Sequence, residues 1–423
     1  MKTLLIIYPH WHPANLAGVH RPRLIGNFLP DFGWQPLVLT VEEQYFEEAP
    51  DKDFVRTFRE HFETIRVAAL SPPKRVRLIG DIGLRAFWAL YKKAIALSRE
   101  RQIDFIWIPI PSFYMAVLGR LIYNETGLPY GIDYIDPWVR PLAPYQRRYG
   151  RAWWSLQLAK LLEPFAVKKA ALISGVSTSY YQAVLDRHFK GQPITHVGMP
   201  YGFDPADHQI DLGEITYPWS KNPEVIPYVY AGAFLPQSYR FIEALFSVVQ
   251  KIEAQGQWDS RKKLYFLGTG AYGGTTIQEY AQRYGIAQHV VETRSRFPFL
   301  HIQQFLRKAA GVMIIGSTEA HYTASKTFQC LLSGRPVWAV FHEESSAAEI
   351  MAACKADRYL ARYNPEMGLE AIEAMVASTF IPFLKEGDEQ WSPELQPLEQ
   401  FSARQSARKL AAAIDTALHS LPR

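Results

Sequence analysis

The sequence predicts an α/β protein of two doubly wound parallel-sheet domains in tandem, and three observations predict it. Short apolar runs bounded by Gly, Pro or Asp alternate with amphipathic stretches, the pattern of strands separated by crossover helices. The 423 residues amount to two or three domains at roughly 150 residues each. A polar, proline-containing passage interrupts the alternation once, at 206–227, and the pattern then restarts.

In the first half, strands are expected at residues 3–8, 36–40, 105–108, 130–134 and 171–176, with helices near 21–32, 84–101, 113–126 and 153–169. These assign 1–205 to an N-terminal domain, with 206–227 as the linker. The second half repeats the scheme, with strands at 228–230, 263–267, 289–292, 311–315 and 336–340. Helices fall near 239–254, 275–283, 302–309, 325–332 and 345–354, so that 228–398 forms a C-terminal domain. A last amphipathic stretch, 402–418, reads as a separate helix within 399–423. Ligands in such sheets bind outside the carboxyl ends of the strands, so the active site is expected in a cleft between two facing domains.

Composition narrows the function. Lys+Arg 46 against Asp+Glu 41 leave a net charge of +5, too mild to imply nucleic acid, and 48% hydrophobic residues exclude a disordered chain. Cys330 and Cys354 are too few for a disulfide framework or a four-thiolate zinc site, and a cytoplasmic location is the expectation. The apolar opening stops at Tyr8-Pro9 and reads as a buried strand rather than a signal peptide. The longest apolar stretch, 105–119, contains Pro109, Pro111 and Ser112 and is shorter than the roughly 20 residues of a spanning helix. His10 and His12 have no nearby third ligand, so no metal is expected.

The most informative segment runs from Gly316 to Val340. A strand ends at Ile315, a loop of small polar residues follows, Ser325 is placed to cap a helix, and that helix stops at Ser333-Gly334 before Pro336. A helix N-terminus offers N–H groups to an anion, and Lys326 adds a full charge there. Gln329, three residues on, lies on the same helical face and can hydrogen-bond a sugar or ribose hydroxyl.

Here the chain resembles retaining glycosyltransferases of the GT-B fold, family-4 type, and more closely a branch used in cell-surface polysaccharide assembly. The pattern Ser325-Lys326, a short apolar helix, then Gly334-Arg335-Pro336-Val337 carries the resemblance. Other marks lie in order: Pro13 to Gly18-Val19-His20-Arg21, Gly33-Trp34 to Val38-Leu39-Thr40, Asp133-Tyr-Ile-Asp136-Pro137-Trp138, Glu163 with 170–177, Pro200 to Asp204, and Tyr230-Ala-Gly232. Ile135 stands where the family has Arg. The resemblance spans most of the chain and implies two Rossmann-like domains facing across a cleft, with the C-terminal helix packing back on the first.

It also implies the chemistry: transfer of a sugar from a nucleoside diphosphate donor to a glycan or lipid-linked acceptor, without a resident cofactor. Gly232, Arg240, His321, Tyr322, Ser325, Lys326 and Gln329 are then the donor-site candidates, with Arg240 where the family has a diphosphate-binding cation. Gly18 and Arg21 fall on the acceptor side, and Asp136 and His20 are the candidate catalytic groups. Many relatives carry two glutamates where His321 and Gln329 stand here, so a catalytically silent nucleotide-sugar binder is a second reading.

A different class is offered by Gly268-Thr-Gly270-Ala-Tyr-Gly273 after a strand, with Glu292 at the distance of a ribose-binding acid: an NAD(P)-dependent oxidoreductase. Two basic-aromatic runs, 74–93 and Arg147-Arg148 to Arg151, Trp153 and Trp154, read either as helix surface with core aromatics or as peripheral contact with an anionic membrane.

Overall fold

The computed structural model describes residues 1–60, 62–71, 81–142, 146–316, 326–387 and 391–421. The chain divides into two compact units, Met1–Asp204 with Phe401–Arg423, and Pro205–Gln400.

In the first unit the elements run β1 (Lys2–Ile7), α1 (Ala17–Gly26), β2 (Trp34–Val41), β3 (Glu63–Val67), α2 (Ile82–Glu100), β4 (Phe105–Ile110) and α3 (Met115–Thr126). They continue with β5 (Tyr130–Tyr134), α4 (Arg151–Val167), β6 (Leu172–Gly175), α5 (Thr178–His188) and β7 (Thr195–Gly198). All strands are parallel, in the order β3-β2-β1-β4-β5-β6-β7. Right-handed crossovers wind outward in both directions from β1 and β4, so the strand order reverses between them. The central strands are continuous apolar runs because helices cover both faces. All six residues of β4 are buried, whereas β3 at the edge is half-exposed.

The second unit holds β8 (Ile226–Ala231), α6 (Tyr239–Ala254), β9 (Lys262–Leu267), α7 (Ile277–Arg283), β10 (Val290–Thr293), α8 (Phe299–Lys308) and β11 (Gly311–Ile315). It ends with α9 (Lys326–Leu332), β12 (Val337–His342), α10 (Ser346–Ala353), β13 (Leu360–Tyr363) and α11 (Leu369–Glu386). Its sheet is also parallel, ordered β10-β9-β8-β11-β12-β13, with the reversal between β8 and β11.

The passage 206–227, read from sequence as a linker, packs on the second unit. Tyr217 and Trp219 lie 5.7 and 6.0 Å from the Phe305 ring, Gln304 donates to the Ile210 carbonyl at 3.0 Å, and Arg307 donates to the His208 carbonyl at 2.5 Å. Apart from a 3-10 turn at Pro205–Gln209 and the first residues of β8, it is irregular and follows the surface of α8, which accounts for its low periodicity.

The last helix, α12 (Ala403–His419), belongs to the first unit. Ser402 caps it by accepting from the Gln405 N–H, and the Ala403 N–H donates to the Phe203 carbonyl at 2.9 Å. Its buried face, including Ala407, Leu410, Ile414 and Ala417, packs on β6, β7 and α1. Leu410 and Ile414 alone contribute about 1.5–3 kcal/mol each by burial.

Candidate functional site

In the second unit the chain end of β8 and the chain end of β11 flank the reversal point, where a doubly wound sheet binds its ligand. Two side chains, Ser238 and Lys326, tie these ends together through three hydrogen bonds. The buried Ser238 hydroxyl donates to the Gly316 carbonyl at 2.6 Å, and Lys326 Nζ donates to the Tyr230 hydroxyl at 2.9 Å and the Ala233 carbonyl at 3.0 Å. Gly232 makes the Lys326 contacts possible. At φ +113° it holds a backbone conformation that favours glycine, and a Cβ there would stand 2.8 Å from Lys326 Cε.

Two donor-site candidates, Gly232 and Lys326, are therefore brought together. Tyr230 joins them: its hydroxyl donates to the Ala233 carbonyl at 2.8 Å, Lys326 Nζ lies 4.5 Å from its ring centroid, and burial raises its pKa. On the buried face of α9, burial pushes the Cys330 thiol up to about 12, against the lowering influence of the Lys326 charge. Helix α6 follows after the short turn Pro236–Ser238, and Ser238 gives it no side-chain cap.

Gln329 and Arg240 have other partners. His208 Nε2 and Gln329 Oε1 are 2.7 Å apart, which makes Nε2–H the donor and leaves the buried Nδ1 without a partner. Burial holds the His208 pKa at about 4, with Gln329 opposing and Arg307 assisting. Arg240 donates to the Met367 carbonyl at 2.5 Å, in the connection between β13 and α11. His321, Tyr322 and Ser325 lie outside the described residues. Sequence reasoning missed His208, because 121 positions separate it from Gln329 and no motif links them.

The Gly-x-Gly-x-x-Gly turn follows β9, away from the reversal point, and its acid is engaged. Glu292 accepts from the Thr269 hydroxyl at 2.7 Å, the Tyr272 hydroxyl at 2.6 Å and the Gln278 N–H at 3.2 Å. Arg294 closes the turn on the other side, donating to the Gly270 and Tyr272 carbonyls, each at 3.1 Å. A carboxylate holding its own loop in this way is not placed to bind a ribose, so the oxidoreductase reading is not favoured.

In the first unit, three residues singled out from the sequence are engaged with other parts of the protein. Arg21, expected on the acceptor side, is fully buried in a bidentate pair with Asp133, at 2.5 and 2.8 Å, and also donates to the Met199 and Pro200 carbonyls. Asp133 accepts in addition from Ser174, which accepts from Trp107, so the network joins α1 to β4, β5 and β6. Gly18, placed on the acceptor side by the resemblance, is closely packed: a Cβ there would fall 2.0 Å from the Tyr8 hydroxyl and 3.2 Å from Pro111. The space over it is already filled. His20, a candidate base, has both ring nitrogens engaged: Arg23 donates to Nδ1 at 3.4 Å, which leaves Nε2–H to donate to Asn15 at 2.9 Å.

Asp136 is different. It follows the end of β5, is half-buried, and has no hydrogen-bond partner among the described residues. Burial raises its pKa against the opposing charge of Arg140. Beyond it Trp138 stacks on Phe113 at 6.1 Å, and the two line a cavity of about 430 Å³ with Arg140 and Ala152, Ser155 and Leu156 of α4. No group of three or more His, Cys, Asp or Glu is placed to hold a metal ion among the described residues, and no described helix is long and apolar enough to cross a membrane.

No family model and no curated protein matches the chain. Solved structures do match over nearly its whole length. A trehalose-6-phosphate synthase, OtsA, is similar with a TM-score of 0.63 and 12% identity over 100% of both chains. Anabaena HepE in complex with UDP has a TM-score of 0.59 and 15% identity, covering 98% of this chain and 100% of that one. Sucrose-phosphate synthase from Thermosynechococcus elongatus has a TM-score of 0.55 and 13% identity, covering 99% and 97%. Together with the two parallel sheets of seven and six strands, these likenesses show that the chain has the GT-B fold.

Proposed function

We propose that the chain is a glycosyltransferase that moves a sugar from a nucleoside diphosphate sugar to a glycan or lipid-linked acceptor, with retention at the anomeric carbon. The observation that supports it is the Lys326 ammonium drawn to the Gly232 turn at the reversal point of the second sheet. A departing diphosphate needs its charge met where it develops. Lys326 supplies positive charge at that place without calling on a resident cofactor.

One neighbour similar in fold, HepE, was captured with ligands of this class, UDP in one structure and UDP-glucose in another. Retention suits the engaged state of His20, since that route needs no dedicated base on the acceptor. Asp136 then serves to orient and polarise an acceptor hydroxyl. The reading places the protein in the cytoplasm and in the polysaccharide-assembly branch that the motifs resemble.

A thermal-shift screen against nucleoside diphosphate sugars, followed by mass-spectrometric detection of released nucleotide, tests the reading. Selective stabilisation with turnover supports it. Stabilisation without turnover across a panel of acceptors points to the silent binder, and cooperative melting unmoved by every donor overturns both.

A further inference from the structure

The first unit carries an apolar stripe on its surface. On α4, Trp154, Leu158, Leu161 and Phe165 are 60%, 41%, 71% and 39% exposed, at spacings of four, three and four that put them on one helical face. They extend over about 16 Å. Tyr149, 63% exposed, continues the stripe just before the helix. A solvated helix normally presents charge where these residues stand, so the stripe points to a partner that takes up apolar side chains.

The charge around the stripe says what kind of partner. Arg147, Arg148, Arg151, Lys160, Lys168 and Lys169 are all exposed along the same stretch. The one acid of α4, Glu163, is buried and paired with Arg187 at 2.6 Å and His188 at 3.0 Å. On α3, Arg120 packs its largely buried guanidinium 5.4 Å from the Phe165 ring, so the exposed cations of this surface are those of the α4 stretch itself. A helix with cations and no exposed acid beside aromatic and leucine side chains matches a surface that is negative outside and apolar just beneath.

We propose that α4 docks flat on an anionic lipid bilayer, inserting Trp154, Leu158, Leu161 and Phe165 below the headgroups while the flanking Arg and Lys side chains meet lipid phosphate. Ala152, Ser155 and Leu156 of the same helix wall the Trp138 cavity, so docking holds that cavity within about 10–12 Å, one helix diameter, of the membrane surface. The docking stands whether or not the chain transfers sugar.

The test is co-sedimentation of the full chain with vesicles of phosphatidylcholine alone and with about 30% phosphatidylglycerol, alongside its mass by light scattering. Two variants accompany it: Leu161→Ser with Phe165→Ser, and Arg147→Glu with Arg148→Glu and Arg151→Glu. The parent is expected to pellet with the anionic vesicles and to be released by salt, each variant lowering the bound fraction about tenfold with unchanged melting. A parent that stays in the supernatant with both vesicle types overturns the proposal, as does binding unchanged in both variants. A stable parent dimer that the serine variant dissociates also overturns it, because a second copy then covers the stripe. Nucleotide release is measured without vesicles, so loss of docking leaves the transferase reading intact.

Discussion

Lys326 and Gly232 share one space: the Cβ that any other residue would place at 232 falls 2.8 Å from Lys326 Cε. Gly232→Ala therefore has to displace the ammonium, besides straining a backbone at φ +113°. Lys326→Ala is expected to weaken nucleoside diphosphate binding by about 1–3 kcal/mol, the range for a lost charge-assisted contact. Because both changes act on one contact, the double variant should lose less than the sum. Isothermal titration with UDP measures all three, and affinity untouched by Lys326→Ala would remove that residue from the site.

The Arg21–Asp133 pair is expected to hold the first unit together without acting on ligands. Asp133→Ala leaves a buried guanidinium without its counter-charge and should cost about 3–5 kcal/mol. Arg21→Met combined with Asp133→Leu should recover most of that, since the desolvation penalty goes with the charges. Urea unfolding distinguishes these outcomes from a binding role, which would lower activity with stability unchanged.

Acid should destabilise the fold through His208. Its imidazole titrates at about 4 in the folded chain against 6.5 for the free group. Between those values the unfolded chain binds a proton that the folded chain does not, so stability rises with pH through this window and is lost as pH falls toward 4. The full effect is on the order of 3 kcal/mol. His208→Gln should flatten the slope between pH 4 and 6.5, leaving the parts contributed by His12, which burial beside Arg66 also holds at about 4, and by His10, which burial also lowers. Melting as a function of pH reads it directly, and a slope identical to the parent's would show that His208 is not held neutral.

Glu292 is expected to matter for stability and not for cofactor binding. Glu292→Ala removes the acceptor of two hydroxyls and one N–H and should cost about 2–3 kcal/mol. Titration with NADH, followed by its fluorescence, should show no binding in parent or variant. Saturable binding lost in the variant would restore the dinucleotide reading.

Asp136→Asn should lower kcat by about 10²–10⁴ while donor affinity stays unchanged. The acid limb of the parent's pH profile should lie above 3.8, because burial raises this carboxyl group. A variant with parental kcat would take Asp136 out of the reaction.

What the sequence made legible follows burial. The interior strands β1, β2, β4, β5, β8, β9, β11 and β12 read directly, as apolar runs between breakers. The strands that escaped notice, β3, β7 and β13, all lie at sheet edges. Thr-His-Val-Gly in β7 is too short and too polar to announce a strand. Helix α11 was also hidden, since Pro382 interrupts its pattern. The Gly232 turn and the start of α9 at Lys326 were legible because local turn chemistry marks each of them. The partners of Arg21 and Gln329 were not, because 112 and 121 residues separate the pairs and only the sheet order brings them together.

Helix α12 makes the first unit discontinuous along the chain. During synthesis, Pro205–Gln400 emerges whole and can fold at once, while the older half of the protein waits with the face of β6 and β7 uncovered until residues 401–419 arrive. Shortening the chain at residue 400 is thus expected to injure the part made first, and a nascent chain arrested there should be the form that chaperones retain.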